Sequence, residues 1–132
     1  MAAARRRGFA WWFGPFFVFA GTMHFVVPRF YRAIIPDQLR PWRREIVVAS
    51  GIAEVLGGLG VMFRPTRRLA SWWSVATLVV VFPANLHMAL HPERYAERFP
   101  GGEAGLWLRL PLQVPVIVWA RVAGRTTDAQ NG

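Results

Sequence analysis

Glu54 and Arg109 are the acidic and basic groups that fall well inside long apolar runs, and His24, His87 and His91 stand near the ends of two others. A carboxylate and a guanidinium in such places can neutralise each other, hold a polar head group or pass protons. Left unpaired near a bilayer centre, each charge costs about 2.5 to 3.5 kcal/mol on insertion scales, so both are expected to face a protein interior. His87 and His91 are four residues apart and share a helix face, a spacing that metal ligation uses. With His24 and Glu54 they would make a set of three imidazoles and one carboxylate. No supporting shell of hydrogen-bonding groups accompanies them in the sequence, and no metal site is expected.

The elements that position these groups are four apolar runs. They cover residues 8–28, 46–63, 69–90 and 105–123. A spanning helix needs about 20 apolar residues, and these lengths approach or meet that. Helices of a soluble bundle would carry polar stripes at helical spacing, which these runs lack. The expected fold is therefore all-α: a single domain, residues 1–132, forming an integral membrane antiparallel four-helix bundle. The first run follows three arginines and resembles a signal peptide at its start, but its apolar stretch continues past Ala20-Gly21-Thr22, which favours an uncleaved span. Residues 29–45 form the longest connection. Pro36 and Pro41 break it up, while Phe30, Tyr31, Ile34, Ile35 and Trp42 alternate with arginines. That pattern suits a segment in the membrane interface, or a Pro-rich loop with snorkelling arginines.

Charge supports the same class. The net charge of +9 comes from sixteen arginines with no lysine, nearly all beside or between the apolar runs. Basic flanks of spans meet the needs of topology and headgroup contact. A nucleic-acid surface would instead gather them on one face, so no nucleic-acid partner is expected. The N-terminal tail, the 64–68 connection and the C-terminal tail hold eight arginines against seven on the other side. This places both termini on the cytoplasmic side of a bacterial inner membrane. The absence of cysteine excludes disulfides and thiolate ligands on this chain.

Alternating spans bring the strongly polar residues to one half of the bilayer. His24 closes the first run, Glu54 follows Ser50 by one turn in the second, Asn85, His87 and His91 close the third, and Arg109 and Gln113 open the fourth. Glu54 is expected within roughly 12 Å of that surface, at 1.5 Å rise per residue. Ala49, Ala53 and Gly57 form a ladder of small residues that suits close helix packing beside Glu54. Asn85 and His87 point about 160° apart at 3.6 residues per turn. Asn85 is expected to face the Glu54–Arg109 pair, with His87 and His91 as secondary candidates on another face.

The chain resembles the DoxX family of small four-helix bacterial membrane proteins. The resemblance rests on GTMHFVVPRFYRAIIP, SGIAEVLGGLG, RPTRRLASW and FPANLHMAL, in that order, across roughly residues 20–92. It marks His24, Pro28, Tyr31, Pro36, Ser50, Gly51, Glu54, Gly57, Arg67, Pro83, Asn85 and Met88 as motif positions. It implies a four-helix membrane fold and, for some members, association with thiosulfate:quinone oxidoreduction or with membrane complexes that handle thiol stress. Without cysteine, any thiol chemistry would belong to a partner.

Three functions are compatible with these residues. The first is an accessory or scaffold subunit of a membrane complex, without catalytic activity of its own. Its partners would be the bilayer, a membrane or periplasmic protein, or further copies of the chain. The second is a quinone- or lipid-binding redox component that uses Glu54, His24 and Arg109. The third is a small solute permease, disfavoured by the lack of an internal repeat. Trp11, Trp12, Trp72 and Trp73 do not separate them, because belt tryptophans look the same.

Overall fold

The computed structural model describes residues 10–98 and 101–125, and every regular element among them is helical. The helices are α1 (Phe13–Val26), α2 (Pro28–Ala33), α3 (Arg43–Met62), α4 (Arg67–Leu90), α5 (Pro92–Tyr95) and α6 (Gly102–Arg125), with 3-10 turns at Asp37–Trp42, Arg64–Thr66 and Ala96–Arg98. Proline chemistry sets several boundaries. Val27 and His91 each precede a proline and share nearly the same non-helical backbone, with φ −125° and ψ 59° for the first and φ −126° and ψ 59° for the second. A residue before proline is pushed out of the helical region, while proline itself is well suited to a first helical turn. α1 therefore ends at Val26 and α4 at Leu90. At the entry to α6, Gly101 and Gly102 take φ of 84° and 61°, which side-chain-bearing residues rarely adopt.

Three segments are long and apolar enough to cross a membrane: Asp37–Met62, Arg64–Leu90 and Gly102–Arg125. They contain the expected third and fourth runs and all of the second except Phe63. α1 is a shorter apolar helix of 14 residues, about 21 Å at helical rise and short of a hydrocarbon core of about 30 Å. The expected first run also includes residues 8 and 9, which lie outside the described residues. The expected connection 29–45 is not a loop throughout: it holds α2 and a 3-10 turn, and residues 43–45 already belong to α3.

α1 packs on α3 through four glycines. A Cβ on Gly21 would stand 2.6 Å from the Gly51 carbonyl oxygen, and one on Gly58 would stand 2.6 Å from that of Gly14. Gly14 thus opposes Gly58 while Gly21 opposes Gly51, so the two helices run in opposite directions with backbones almost touching. The expected ladder of Ala49, Ala53 and Gly57 holds only in part. Ala49 is exposed, and Gly57 is buried between Ser74 of α4 and the Phe17 ring of α1. Ala53 contributes its carbonyl, which accepts from Trp73 Nε1 at 2.9 Å.

α4 packs on both α3 and α6. At one end Ser71 Oγ donates to the Ala120 carbonyl at 2.7 Å and accepts from Arg121 Nη1 at 2.9 Å, while the Arg121 guanidinium lies 3.8 Å over the Trp72 ring. The last carbonyls of α3, which lack helical donors, accept from Thr66 Oγ1 at 2.8 Å and Arg67 Nε at 2.7 Å. Buried apolar side chains form two clusters. One gathers Phe13, Phe17, Val61 and Ala120 at this end; the other gathers Ile34, Met88, Tyr95 and Leu106 beneath the α1–α3 connection. Large apolar side chains also cover the outside, with Leu69 75% and Phe19 65% exposed. In water such a surface would drive association; in lipid it is solvated.

Candidate functional site

A cavity of about 350 Å³ lies between the helices under the α1–α3 connection. His24, Tyr31, Ser50, Glu54, Asn85 and Arg109 all line it, so the structure brings together six of the expected site residues from α1, α2, α3, α4 and α6. The rest of the wall is apolar, supplied by residues such as Ile34, Ile35, Leu39, Val80, Ala84 and Met88. The lining is therefore one polar end on an otherwise greasy chamber.

The polar end is built from hydrogen-bonded pieces. His24 Nδ1 lies 2.9 Å from the Ala20 carbonyl and 3.2 Å from Glu54 Oε2. A ring nitrogen this close to a carbonyl oxygen must carry the proton, so Nδ1–H donates to Ala20. Glu54 Oε2 then lies within ion-pair distance of His24, but it is buried and receives no hydrogen bond. The distance defines the electrostatic contact, whereas alignment denies it a donor. The sequence pairs Glu54 with Arg109; the structure puts His24 beside it as well, with the Arg109 charge acting on both Glu54 and Tyr31. Tyr31 stacks on His24, ring centroids 3.9 Å apart and planes 18° from parallel. Burial, then the Glu54 charge, pushes its phenol above the usual value of 10, so at neutral pH it is a neutral hydroxyl.

α3 begins at Arg43 rather than at residue 46, so Glu54 lies roughly 16 Å along the helix from its start at 1.5 Å per residue.

Gln113 is the expected site residue that does not line the cavity. It is buried behind Asn85, accepting from Asn85 Nδ2 at 3.3 Å and donating through Nε2 to the Leu78 carbonyl. Gln113 thus fixes the Asn85 amide. Gln113→Ala is expected to strand the Asn85 donor and lower stability by about 1–3 kcal/mol, the cost of an unsatisfied buried polar group. Thermal unfolding in detergent checks this, with Gln113→Glu as a variant that keeps the Asn85 acceptor.

His87 and His91 lie elsewhere. Their rings pack together with centroids 4.3 Å apart, His87 meets the buried Tyr95 edge-on at 5.9 Å, and His91 Nδ1 lies 2.9 Å from the His87 carbonyl. No group of three or more His, Cys, Asp or Glu with metal-binding geometry occurs among the described residues. Sequence reasoning missed the apolar wall contributed by Ile34, Ile35 and Leu39. The alternation of Ile34 and Ile35 with arginines was legible, but not which side of the connection would turn inward.

Comparison with curated proteins and with solved structures gives no match. One family does match, over residues 13–123, which takes in the whole cavity wall and every helix but the last two residues of α6. The chain belongs to the family described as domain of unknown function (DUF8561).

Proposed function

We propose that this chain is a four-span antiparallel membrane bundle that binds a small lipophilic molecule with a polar head, of the quinone or quinol class, in the cavity at Glu54. The observation that carries this reading is Glu54 Oε2, a buried carboxylate oxygen without a hydrogen-bond donor at the polar end of an apolar chamber of about 350 Å³. Such an oxygen accepts from a quinol hydroxyl, while the Arg109 guanidinium donates to a ring oxygen on the same head group. The apolar wall takes the ring and the start of its tail. Ligand sites commonly have this form, apolar walls with a few convergent polar groups. The resemblance to DoxX proteins agrees with it. The bundle would lie in a bacterial inner membrane with both termini cytoplasmic, following the arginine distribution, and would serve a membrane complex as its ligand-binding subunit.

A second reading, a scaffold whose polar groups only fix helix register, draws on the Asn85–Gln113–Leu78 chain, which locks α4 to α6 without using the cavity. Extraction of the purified protein separates the two. Protein isolated in mild detergent is expected to release about one quinone per chain, as single-site binding requires, and Glu54→Gln is expected to release several-fold less while keeping its helical content. A wild-type protein without bound lipophile, or equal loading of folded Glu54→Gln, supports the scaffold instead.

A further inference from the structure

We propose that a second site, on the outer side of the α1–α3 connection, binds the phosphate of an anionic lipid headgroup. Arg29, Arg32, Arg40, Arg43 and Arg44 line one surface depression of about 450 Å³, where the accompanying carboxylate is Glu45. The nearby Asp37 is already engaged, 3.8 Å from Arg43 Nη2 and paired with Arg94. The depression therefore carries a concentrated positive charge. Arg43 and Arg44 also open α3, where the helix dipole already presents its positive end. Cations there repel both the dipole and one another, and a bound anion reverses both effects. Guanidinium groups offer paired N–H donors that match phosphate oxygens, which makes phosphate the fitting chemistry.

The surroundings select a lipid phosphate over a soluble one. Val26, 63% exposed, precedes the lining residues, Trp42, 56% exposed, stands among them, and a segment long and apolar enough to cross a membrane begins at Asp37. A headgroup held by the arginines would lay its acyl chains along this apolar surface. The same connection has two faces: Tyr31, Ile34 and Ile35 wall the cavity, while Arg29, Arg32 and Arg40 line the depression. A lipid here would brace the cavity's cover from outside, whatever the cavity holds.

The test is thermal unfolding of the full chain in a neutral detergent, titrated with phosphatidylglycerol or phosphatidylcholine. Phosphatidylglycerol is expected to raise the midpoint by about 5 °C and phosphatidylcholine by less than about 2 °C, because only a ligand of the native state stabilises it. R29Q/R32Q/R44Q should lose most of that rise. R64Q/R68Q/R125Q, which removes equal charge at the other end, should keep it. Equal rises with both lipids, or equal losses in both triple variants, would overturn the site. A rise reproduced by inorganic phosphate would overturn the lipid assignment. The comparison of lipids and phosphate on the wild-type chain decides the matter even where a triple variant fails to fold.

Discussion

Gly21→Ala and Gly58→Ala are each expected to destabilise the protein by about 3 kcal/mol, at the upper end for overpacking a well-fitted contact. The reason is that the obstacle is backbone. A methyl group on Gly21 would meet the Gly51 carbonyl oxygen at 2.6 Å, and one on Gly58 would meet that of Gly14 at the same distance. No rotamer change relieves a clash with a carbonyl, so α1 must move away from α3. That movement also shifts His24, which is three residues beyond Gly21 and carries the contact to Glu54. Reversible unfolding in mixed detergent micelles, followed by helical signal, measures the cost. Leu59→Ala, on an outward-facing residue of α3 that is 51% exposed, is the control and should change stability by less than about 1 kcal/mol. Losses no larger than this control's would refute the close glycine contact.

Arg109→Leu is expected to be more damaging than its exposure suggests, by about 3–5 kcal/mol, because it leaves a buried carboxylate without its cation. Glu54→Leu should cost a comparable amount for the converse reason. The double variant Glu54→Leu/Arg109→Leu should recover much of the loss, since two apolar side chains leave no uncompensated charge. The resulting coupling of about 1–3 kcal/mol is measurable by a double-mutant cycle. Strict additivity would show that the two charges do not act on each other. His24 belongs in the same cycle: its Nδ1 lies 3.2 Å from Glu54 Oε2, so His24→Leu should also couple to Glu54→Leu.

Much of this arrangement was legible in the sequence because bilayer-length apolar runs constrain the placing of polar residues strongly. Counting along alternating runs was enough to gather His24, Glu54, Asn85 and Arg109, and a 160° helical offset was enough to separate Asn85 from His87. Packing detail was not legible. Gly14 and Gly21 are spaced seven apart, as are Gly51 and Gly58, but only the register between α1 and α3 shows that the pairs oppose. Ala49, Ala53 and Gly57 have equally suitable spacing, and nothing local distinguishes the two ladders. The cavity itself was hidden for a related reason. Its cover is made by α2 and the following 3-10 turn, and which side of so short a segment faces inward depends on contacts distant in sequence.

The chamber at Glu54 is proposed to hold a polar-headed lipophile. Equilibrium titration of the detergent-solubilised, delipidated chain with a short-tailed quinone, compared with Ala84→Phe, tests this most directly. Ala84 is an uncharged residue of the chamber wall, so a phenyl ring there removes volume without removing a charge. Saturable binding at about one quinone per chain is expected in the wild type. In folded Ala84→Phe the affinity is expected to be at least about tenfold weaker, a loss of about 1.4 kcal/mol. Unchanged affinity in Ala84→Phe, or no saturable binding to the wild type, would contradict the proposed occupancy.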